Sequence, residues 1–469
     1  MNSEEIVKKI EAGGVVGAGG AGFPTHVKYK AKADTVIVNL AECEPLLRVD
    51  RQLAERYAEE LVKGLGFAME AVSAREGIVA VKEKYHGAID RLRPLLADRM
   101  RVEYLKDIYP AGDEFMVVKM TTGKTVPPGS IPISVATVVS NVQTLINVAG
   151  AMEDKPVITR TITVTGNVRN PVTVTAPVGV TYRQLLEGTG NAAGIDEDAY
   201  IDGGPIMGKM LDSLDESVTK TSGGLVALPK EHPLIRIKTQ PMSQILRIAK
   251  TVCEQCQLCT DLCPRNIIGH RDLKPHMTIR AVNYGRMTES QVIKGAMLCS
   301  DCGVCELYAC PVNISPRRVN QAIKQELAKQ GVKYDGALGR EDPVWESRLV
   351  PSKQIAARIG LKDYYDLEAP LQEGVLEFDR VRIPLKQHVG APCEPAVRPG
   401  DTVNRGDLIA KIREGQLGAN IHASISGTVA VVDGGFIIIE KNNSIISNKN
   451  KGIIIDKNSG KTAEKGGAG

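Results

Sequence analysis

Aromatic side chains are scarce in this chain. They make up 4% of its 469 residues, with a single tryptophan, which leaves little for stacking on nucleobases. An excess of one charge is missing too. The 59 basic residues against 55 acidic ones give a formal +4, and that near-balance argues against a nucleic-acid partner. No apolar run approaches the ~20 residues that span a bilayer. No secretory signal peptide is read at the start, where Ser3 to Ala12 has the pattern of an amphipathic polar helix. The expectation is a chain of about three domains by length, with no direct membrane span and suited to reducing, cytoplasmic conditions. Any membrane or compartment would be reached through a partner.

Cysteine is present and ordered. Eight of the ten fall into Cys253-x2-Cys256-x2-Cys259-x3-Cys263-Pro264 and Cys299-x2-Cys302-x2-Cys305-x4-Cys310-Pro311. A cubane iron–sulfur cluster needs thiolates from different directions, so three close cysteines wrap one side and a remote fourth closes the cage. In two-cluster ferredoxins that fourth cysteine ligates the other cluster. The spacing therefore predicts one [4Fe–4S] centre on Cys253, Cys256, Cys259 and Cys310, and a second on Cys299, Cys302, Cys305 and Cys263. A zinc ribbon would use paired C-x2-C and leave the third and fourth cysteines idle. A disulfide framework suits small secreted domains. The extra residue before Cys310 puts that ligand's geometry in question. Pro264 and Pro311 are expected to turn the chain away from helix. Cys43 and Cys393 read as structural thiols, and His270 and His276 as residues behind the cluster or at the surface.

Alternation of strand and helix organises residues 1–150: a helix Ser3–Ala12, strands Thr35–Leu40, Gly77–Val81 and Arg101–Leu105, and helices over about 50–66 and 85–96. That order predicts a largely parallel sheet covered by helices. Further on, Thr159–Gly166 and Val172–Ala176 read as paired strands, and Thr181 as the N-cap of a short helix, a β-grasp-like pattern. The basic stretch 316–330 reads as a helix with a solvated face. Residues 379–440 form a β unit with glycine-rich turns. The tail from Asn442 reads as mobile, with Gly452–Asp456 a stray strand.

Gly17-Ala-Gly19-Gly20-Ala-Gly22 contains G-x-G-x-x-G, which alone is also the pattern of a flexible turn. It continues as Phe23-Pro-Thr-His-Val-Lys28-Tyr29, and later come Asn39-Leu-Ala-Glu42-Cys-Glu44-Pro45, Tyr109-Pro-Ala-Gly112-Asp113-Glu114, Thr122-Gly-Lys-Thr-Val-Pro-Pro-Gly129 and Ser140-Asn141-Val-Gln-Thr-Leu145. Together these resemble the flavin-binding subunit of NADH:quinone oxidoreductases. The Val-Pro-Pro-Gly form is similar to the C subunit of Rnf-type ferredoxin:NAD oxidoreductases and closer to the cobalamin reductases of propanediol-utilisation microcompartments. Asp202-Gly-Gly-Pro-Ile-Met-Gly208 and Ile383-Pro-Leu-Lys-Gln-His-Val-Gly-Ala-Pro392 fit the same family, as does the order with the flavin domain first.

The resemblance implies a multi-domain α/β and α+β chain: an FMN- and NADH-binding α/β domain (1–152), a β-grasp module of the soluble-ligand-binding (SLBB) kind (153–235), a helical two-cluster ferredoxin-like domain (240–335), a linker (336–378), a barrel-sandwich hybrid (379–441) and a flexible tail (442–469). It implies that Gly17, Gly19, Gly20, Gly22 and Lys28 hold FMN, and that Asn39, Glu42 and Asn141 contact the flavin or its ribityl chain. Phe23, Glu44, Asp113 and Glu114 would lie on the nicotinamide side. The residues alone also allow Glu42 and Glu44 as a solvated loop pair, and Asp113 and Glu114 as a charge pair at a helix N-terminus. The β unit near 400–429 is similar to lipoyl domains, but Gln416 stands where the modified lysine would be, so no swinging arm is expected.

The implied activity is an NADH-dependent flavo-iron–sulfur electron transferase with FMN and two [4Fe–4S] clusters, its acceptor cobalamin or an electron-accepting protein. A corrinoid adenosyltransferase and a microcompartment shell protein are further implied partners, and a microcompartment interior one implied location. The chain lacks Asp-x-His-x-x-Gly, which would offer an axial histidine to a corrinoid. Alternatives are a subunit of a membrane Rnf-like complex, or a non-catalytic relay scaffold, since Ala18, Ala41 and Ser140 stand where the respiratory subunit has arginine, an acid and asparagine.

Overall fold

In the computed structural model, which describes residues 1–286 and 290–442, the chain folds as four packed units. The first holds an all-parallel sheet in the order Met100–Leu105, Glu76–Lys82, Thr35–Leu40, Thr137–Asn141. Its two inner strands are buried almost throughout, as unbroken Val, Ile and Ala runs require of a sheet covered on both faces. Val36, Val38, Val79 and Val81 pack on one side with helices Ser3–Ala12, Ala58–Ala71 and Val142–Met152. Ile37, Ile78 and Val139 pack on the other with helix Glu114–Thr122. The chain builds outward from Thr35–Leu40 and then returns to its other side, so strand order reverses between that strand and Thr137–Asn141. In open α/β sheets the crevice at the carboxyl ends of such a reversal is where ligands bind.

The helix expected over about 50–66 is two, Val49–Arg56 and Ala58–Ala71. Tyr57 breaks it, with φ −120° and ψ 43°. The second helix then lies so close to Val142–Met152 that a Cβ on Gly64 would fall 2.0 Å from the Leu145 carbonyl oxygen.

The second unit starts with the antiparallel hairpin Thr159–Gly166/Val172–Pro177. Helix Tyr182–Gly188 follows, opened by a reciprocal cap between Thr181 and Gln184. Gly224–Pro229 then returns to the middle of the sheet, parallel to Thr159–Gly166 and antiparallel to Asp198–Asp202. In the third unit the cysteines sit on short helices. Pro264 does not turn away from helix there. It opens the turn Pro264–Ile267 behind Cys263, a position where its missing N–H costs nothing. The basic helix Pro316–Lys329 is not simply solvated either: Arg317 is buried, and Lys324 reaches the Cys299 carbonyl.

Residues 336–378, expected as a linker, are built into the first and second units. Val350–Pro351 pairs with Ile108–Tyr109, and Leu371–Val375 adds to the edge of the second sheet beside Val172–Pro177. The fourth unit combines a four-stranded and a three-stranded sheet between Arg380 and Glu440 around Val381, Ile383, Ile409, Val429 and Ile437. The expected tail and its strand at Gly452–Asp456 lie outside the described residues.

Candidate functional site

The glycine loop stands at the sheet's reversal. Val16 faces Pro24 as an antiparallel bridge, the Gly17 amide donates to the Phe23 carbonyl at 2.9 Å, and Thr25 donates to Val15 at 3.1 Å. The neck is thus closed while Gly19, Gly20 and Ala21 form an exposed tip. Among the described residues no acceptor faces the amides of that tip. A Cβ on Gly19 would fall 3.1 Å from the Asn141 side chain, and one on Gly20 would meet open space. A loop this bare lets a phosphate or ring edge approach the main chain. Phe23 is 40% exposed at its end.

Asn39 and Asn141 are register partners at the carboxyl ends of adjacent strands. Asn39 Nδ2 donates to the Gly112 carbonyl at 2.9 Å. Asn141 caps helix Val142–Met152 through Oδ1, and its Nδ2 donates to both carboxylate oxygens of Asp50 at 3.0 and 2.9 Å. Glu42 Oε1 accepts from the Asp50 amide at 2.7 Å, while its Oε2 is buried without a hydrogen-bond partner. Burial first, then the Asp50 charge, pushes the Glu42 carboxyl up to about 7. Lys28 Nζ donates to the Val139 carbonyl at 2.6 Å and to Glu114 Oε1 at 3.0 Å. The structure thus gathers the loop, Asn39, Glu42 and Asn141 at one crevice, with the Lys28–Glu114 pair bonded to Val139 of the neighbouring strand Thr137–Asn141. Asp50 links Glu42 and Asn141 there but carries no motif of its own, so nothing in the sequence singles it out.

Glu44 and Asp113 face elsewhere. Glu44 is no solvated loop residue: its two oxygens accept the amides of Ile206 and Met207 at 2.9 and 2.8 Å, joining its loop in the first unit to the second unit. Asp113 is the N-cap of helix Glu114–Thr122 and forms a buried pair with Arg265 at 2.9 Å. The Arg265 guanidinium lies 3.4 Å over the Phe115 ring. Arg265 follows Cys263-Pro264, so Asp113 ties the first unit to the cysteine unit. His270 seals the same seam, bonded to the Val126 carbonyl at 2.9 Å, and burial pulls it down to about 4.

The eight cysteines line two cavities. One is walled by Cys263, Cys299, Cys302 and Cys305, the other by Cys253, Cys256, Cys259 and Cys310. Each run therefore lends its last cysteine to the other, and four thiols round a cavity are the donor set a cubane requires. The wrap is the same in both. Gln255 and Gln257 flank Cys256 at φ 52° and 67°, and Asp301 and Gly303 flank Cys302 at φ 59° and 79°. Paired left-handed residues fold the chain back on itself, so that the three thiols face inward. The extra residue of the second run is absorbed by a π-helical turn, Val304–Ala309, which holds one residue more per turn and returns Cys310 to the first cavity. Tyr109 OH donates to the Cys302 carbonyl at 2.6 Å. Contacts thus run from Asn39 through Gly112 and Tyr109 to the buried cage. Beneath that cage Glu306 and Arg317 pair at 2.9 Å, and Arg317 also donates to the Ile206 carbonyl at 3.1 Å. Cys43 and Cys393 are thiols that burial pushes up to about 12 and about 11.

Three family models match the sequence: the Nuo51 FMN-binding domain over residues 10–150, a 4Fe-4S dicluster domain over 252–315, and the RnfC barrel sandwich hybrid domain over 368–459. The cobalamin reductase PduS of Salmonella typhimurium (strain LT2) is 49% identical, covering 92% of this chain and 95% of its own. That of Citrobacter freundii is 48% identical, with coverage of 92% and 95%. The C subunit of the Na(+)-translocating ferredoxin:NAD(+) oxidoreductase complex of Acetobacterium woodii is 33% identical over 56% of this chain and 58% of its own.

Proposed function

The chain belongs to the cobalamin reductase family, and from that premise we propose that it is an NADH-dependent flavo-iron–sulfur oxidoreductase. It passes electrons through FMN and two [4Fe–4S] clusters to cobalamin. FMN, when bound, supplies the exchange between a two-electron hydride donor and one-electron carriers. Gly17, Gly19, Gly20 and Gly22 present main-chain amides to it, with Lys28 as the nearby cation, Phe23 at the loop's end and Asn39, Glu42 and Asn141 along the crevice. Glu114, half exposed beside Lys28, is the open carboxylate on the nicotinamide side. Glu44 and Asp113 contribute there by fixing the units that frame it. Cys263, Cys299, Cys302 and Cys305 hold the cluster nearer the flavin, and Cys253, Cys256, Cys259 and Cys310 the one nearer solvent.

The observation that carries this reading is the pair of interlocked thiol cages, one of them bonded through Cys302 to Tyr109 of the flavin-binding unit. We divide the chain as 1–152, 153–235, 240–335, 336–378, 379–441 and 442–469, and read 153–235 as the SLBB β-grasp module because its return strand runs parallel to the first strand of the hairpin. A corrinoid adenosyltransferase and a shell protein are the partners this reading implies, inside a microcompartment. No helix among the described residues is long and apolar enough to cross a membrane. Anaerobic reconstitution tests the proposal. NADH should bleach the flavin and then convert added cob(II)alamin, with iron filling both cages. A brown, flavin-free protein indifferent to NADH refutes it. A place in an Rnf-type complex is favoured by the partial identity to the Acetobacterium woodii protein, and ferredoxin outcompeting cobalamin as a redox partner would select it.

A further inference from the structure

Two buried cations reach from the second unit into the glycine-loop segment of the first. Arg160 Nη2 donates to the Ala18 carbonyl at 2.7 Å, and its Nε donates to the Ser222 carbonyl. Lys220 Nζ donates to the carbonyls of Gly14 and Asn420, each at 2.7 Å. Both side chains are buried; the carboxylates of Asp50 and Asp202 act on Arg160 only from beyond ion-pair distance. Burying a cation costs several kcal/mol unless its hydrogen bonds are made good. Arg160 leaves Nη1 without a partner, and its two made bonds both go to main-chain oxygens. What both cations do share is a main-chain oxygen at the start or shoulder of the loop.

Geometry turns that contact into a function. In a trans peptide the carbonyl and the following N–H point opposite ways. Holding the Ala18 oxygen inward therefore points the Gly19 N–H outward, toward the exposed tip. The Ala18 amide is itself fixed by Thr144 Oγ1 at 2.8 Å. Gly14, at φ +63°, admits no side chain there, since a Cβ would fall 2.3 Å from the Asn420 carbonyl oxygen that Lys220 also bonds.

We propose that Arg160 is a positioning residue for the phosphate of the flavin nucleotide: it holds the Ala18 carbonyl so that the Gly19 amide faces that phosphate, and Lys220 anchors the root of the same segment. This rests on the FMN reading above. The test uses the full-length, cluster-reconstituted chain, titrated with FMN and with riboflavin, which lacks the phosphate, by flavin fluorescence. Arg160→Met lowers the FMN-over-riboflavin preference about tenfold, the worth of one charge-assisted hydrogen bond, while riboflavin affinity and iron content hold. Arg160→Lys, which keeps the charge but spans one carbonyl, falls between, and Lys220→Met gives a smaller drop. An unchanged preference in folded Arg160→Met overturns the proposal. If that variant binds neither flavin measurably or unfolds early, an unchanged preference in Arg160→Lys overturns it equally. Wild-type chain that binds no flavin at all refutes the FMN reading instead.

Discussion

The two thiol cages have the same wrap and opposite surroundings. Cys263, Cys299, Cys302 and Cys305 are all buried, whereas in the other cage only Cys310 is buried, Cys253 and Cys259 are half-buried and Cys256 is exposed. The buried cage is enclosed by Tyr109, Ile206 and the Glu306–Arg317 pair. The other is edged by the exposed apolar side chains of Val252, Leu258 and Val312. Cluster potentials respond to exposure, charge and hydrogen bonds to sulfur, so one covalent pattern gives two cages that would differ in potential, and in the proposed function the buried one is the internal relay and the exposed one the outlet.

Substituting one thiol in each cage gives the largest contrast. Cys302→Ser should cut NADH-to-acceptor transfer by more than about a hundredfold, beyond the range typical of lesions behind the ligands. Cys256→Ser should stop delivery to the acceptor but leave the buried cluster reducible, seen as a single cubane signal by EPR after NADH. A Cys256→Ser chain in which no cluster is reduced would reverse the assigned order.

Stability should divide the cages next. Glu306→Ala leaves Arg317 buried without its carboxylate and should cost about 3–5 kcal/mol in anaerobic denaturant unfolding. Gln255→Ala, which removes a contact to Cys253 Sγ at 3.2 Å, should cost about 1 kcal/mol or less. Similar losses from the two would mean that the enclosure of the buried cage adds nothing.

At the flavin end, upstream of the buried cage, the expected signature is a pH slope. Glu42 titrates near 7 in the fold against 4.5 ordinarily, so the folded chain holds this proton more tightly. Its contribution is complete below about 4.5 and is lost as pH rises through 7. Thermal unfolding of Glu42→Gln should therefore lose part of the decline that wild type shows across that window, and an identical slope would count against a protonated Glu42.

The smallest effect compares matched left-handed residues. Gln257→Gly should stabilise by about 1 kcal/mol by relieving a positive φ. Gly303→Gln should destabilise, because its Cβ would fall 3.1 Å from Ile206 Cγ2 and 3.3 Å from Arg317 Nη1. Two neutral results would remove the backbone from the comparison.

Much of this was legible in the chain. The helix Ser3–Ala12 and the strands Thr35–Leu40 and Thr159–Gly166 fall where apolar periodicity put them, because those segments are buried by their own pattern. The cross-over of Cys263 and Cys310 was legible from spacing, but the π-turn that accommodates it was not, since one inserted residue has several local solutions. Residues 336–378 read as linker because short strands such as Val350–Pro351 are made by their partners, with little signal of their own. The seams were least visible: Glu44 on Ile206, Asp113 on Arg265 and Lys220 on Gly14 each join residues far apart in sequence. Arg160 did leave a trace. It lies on the same strand face as Ile162 and Val164, where a charge is out of place unless something distant answers it.

The strands of residues 336–378, laid against both the flavin-binding unit and the second sheet, carry one more consequence. Units joined by loose tethers are free to swing, and such motion commonly gates exchange between them. Here the segment that leaves the cysteine unit is pinned by strand pairing first to the flavin-binding unit and then to the second sheet, so the cysteine unit is held against the flavin-binding unit by main-chain bonds as well as by side chains. Pulling that segment away would have to break both pairings before the two units could part, so the route between them is fastened like a cable clipped at two points.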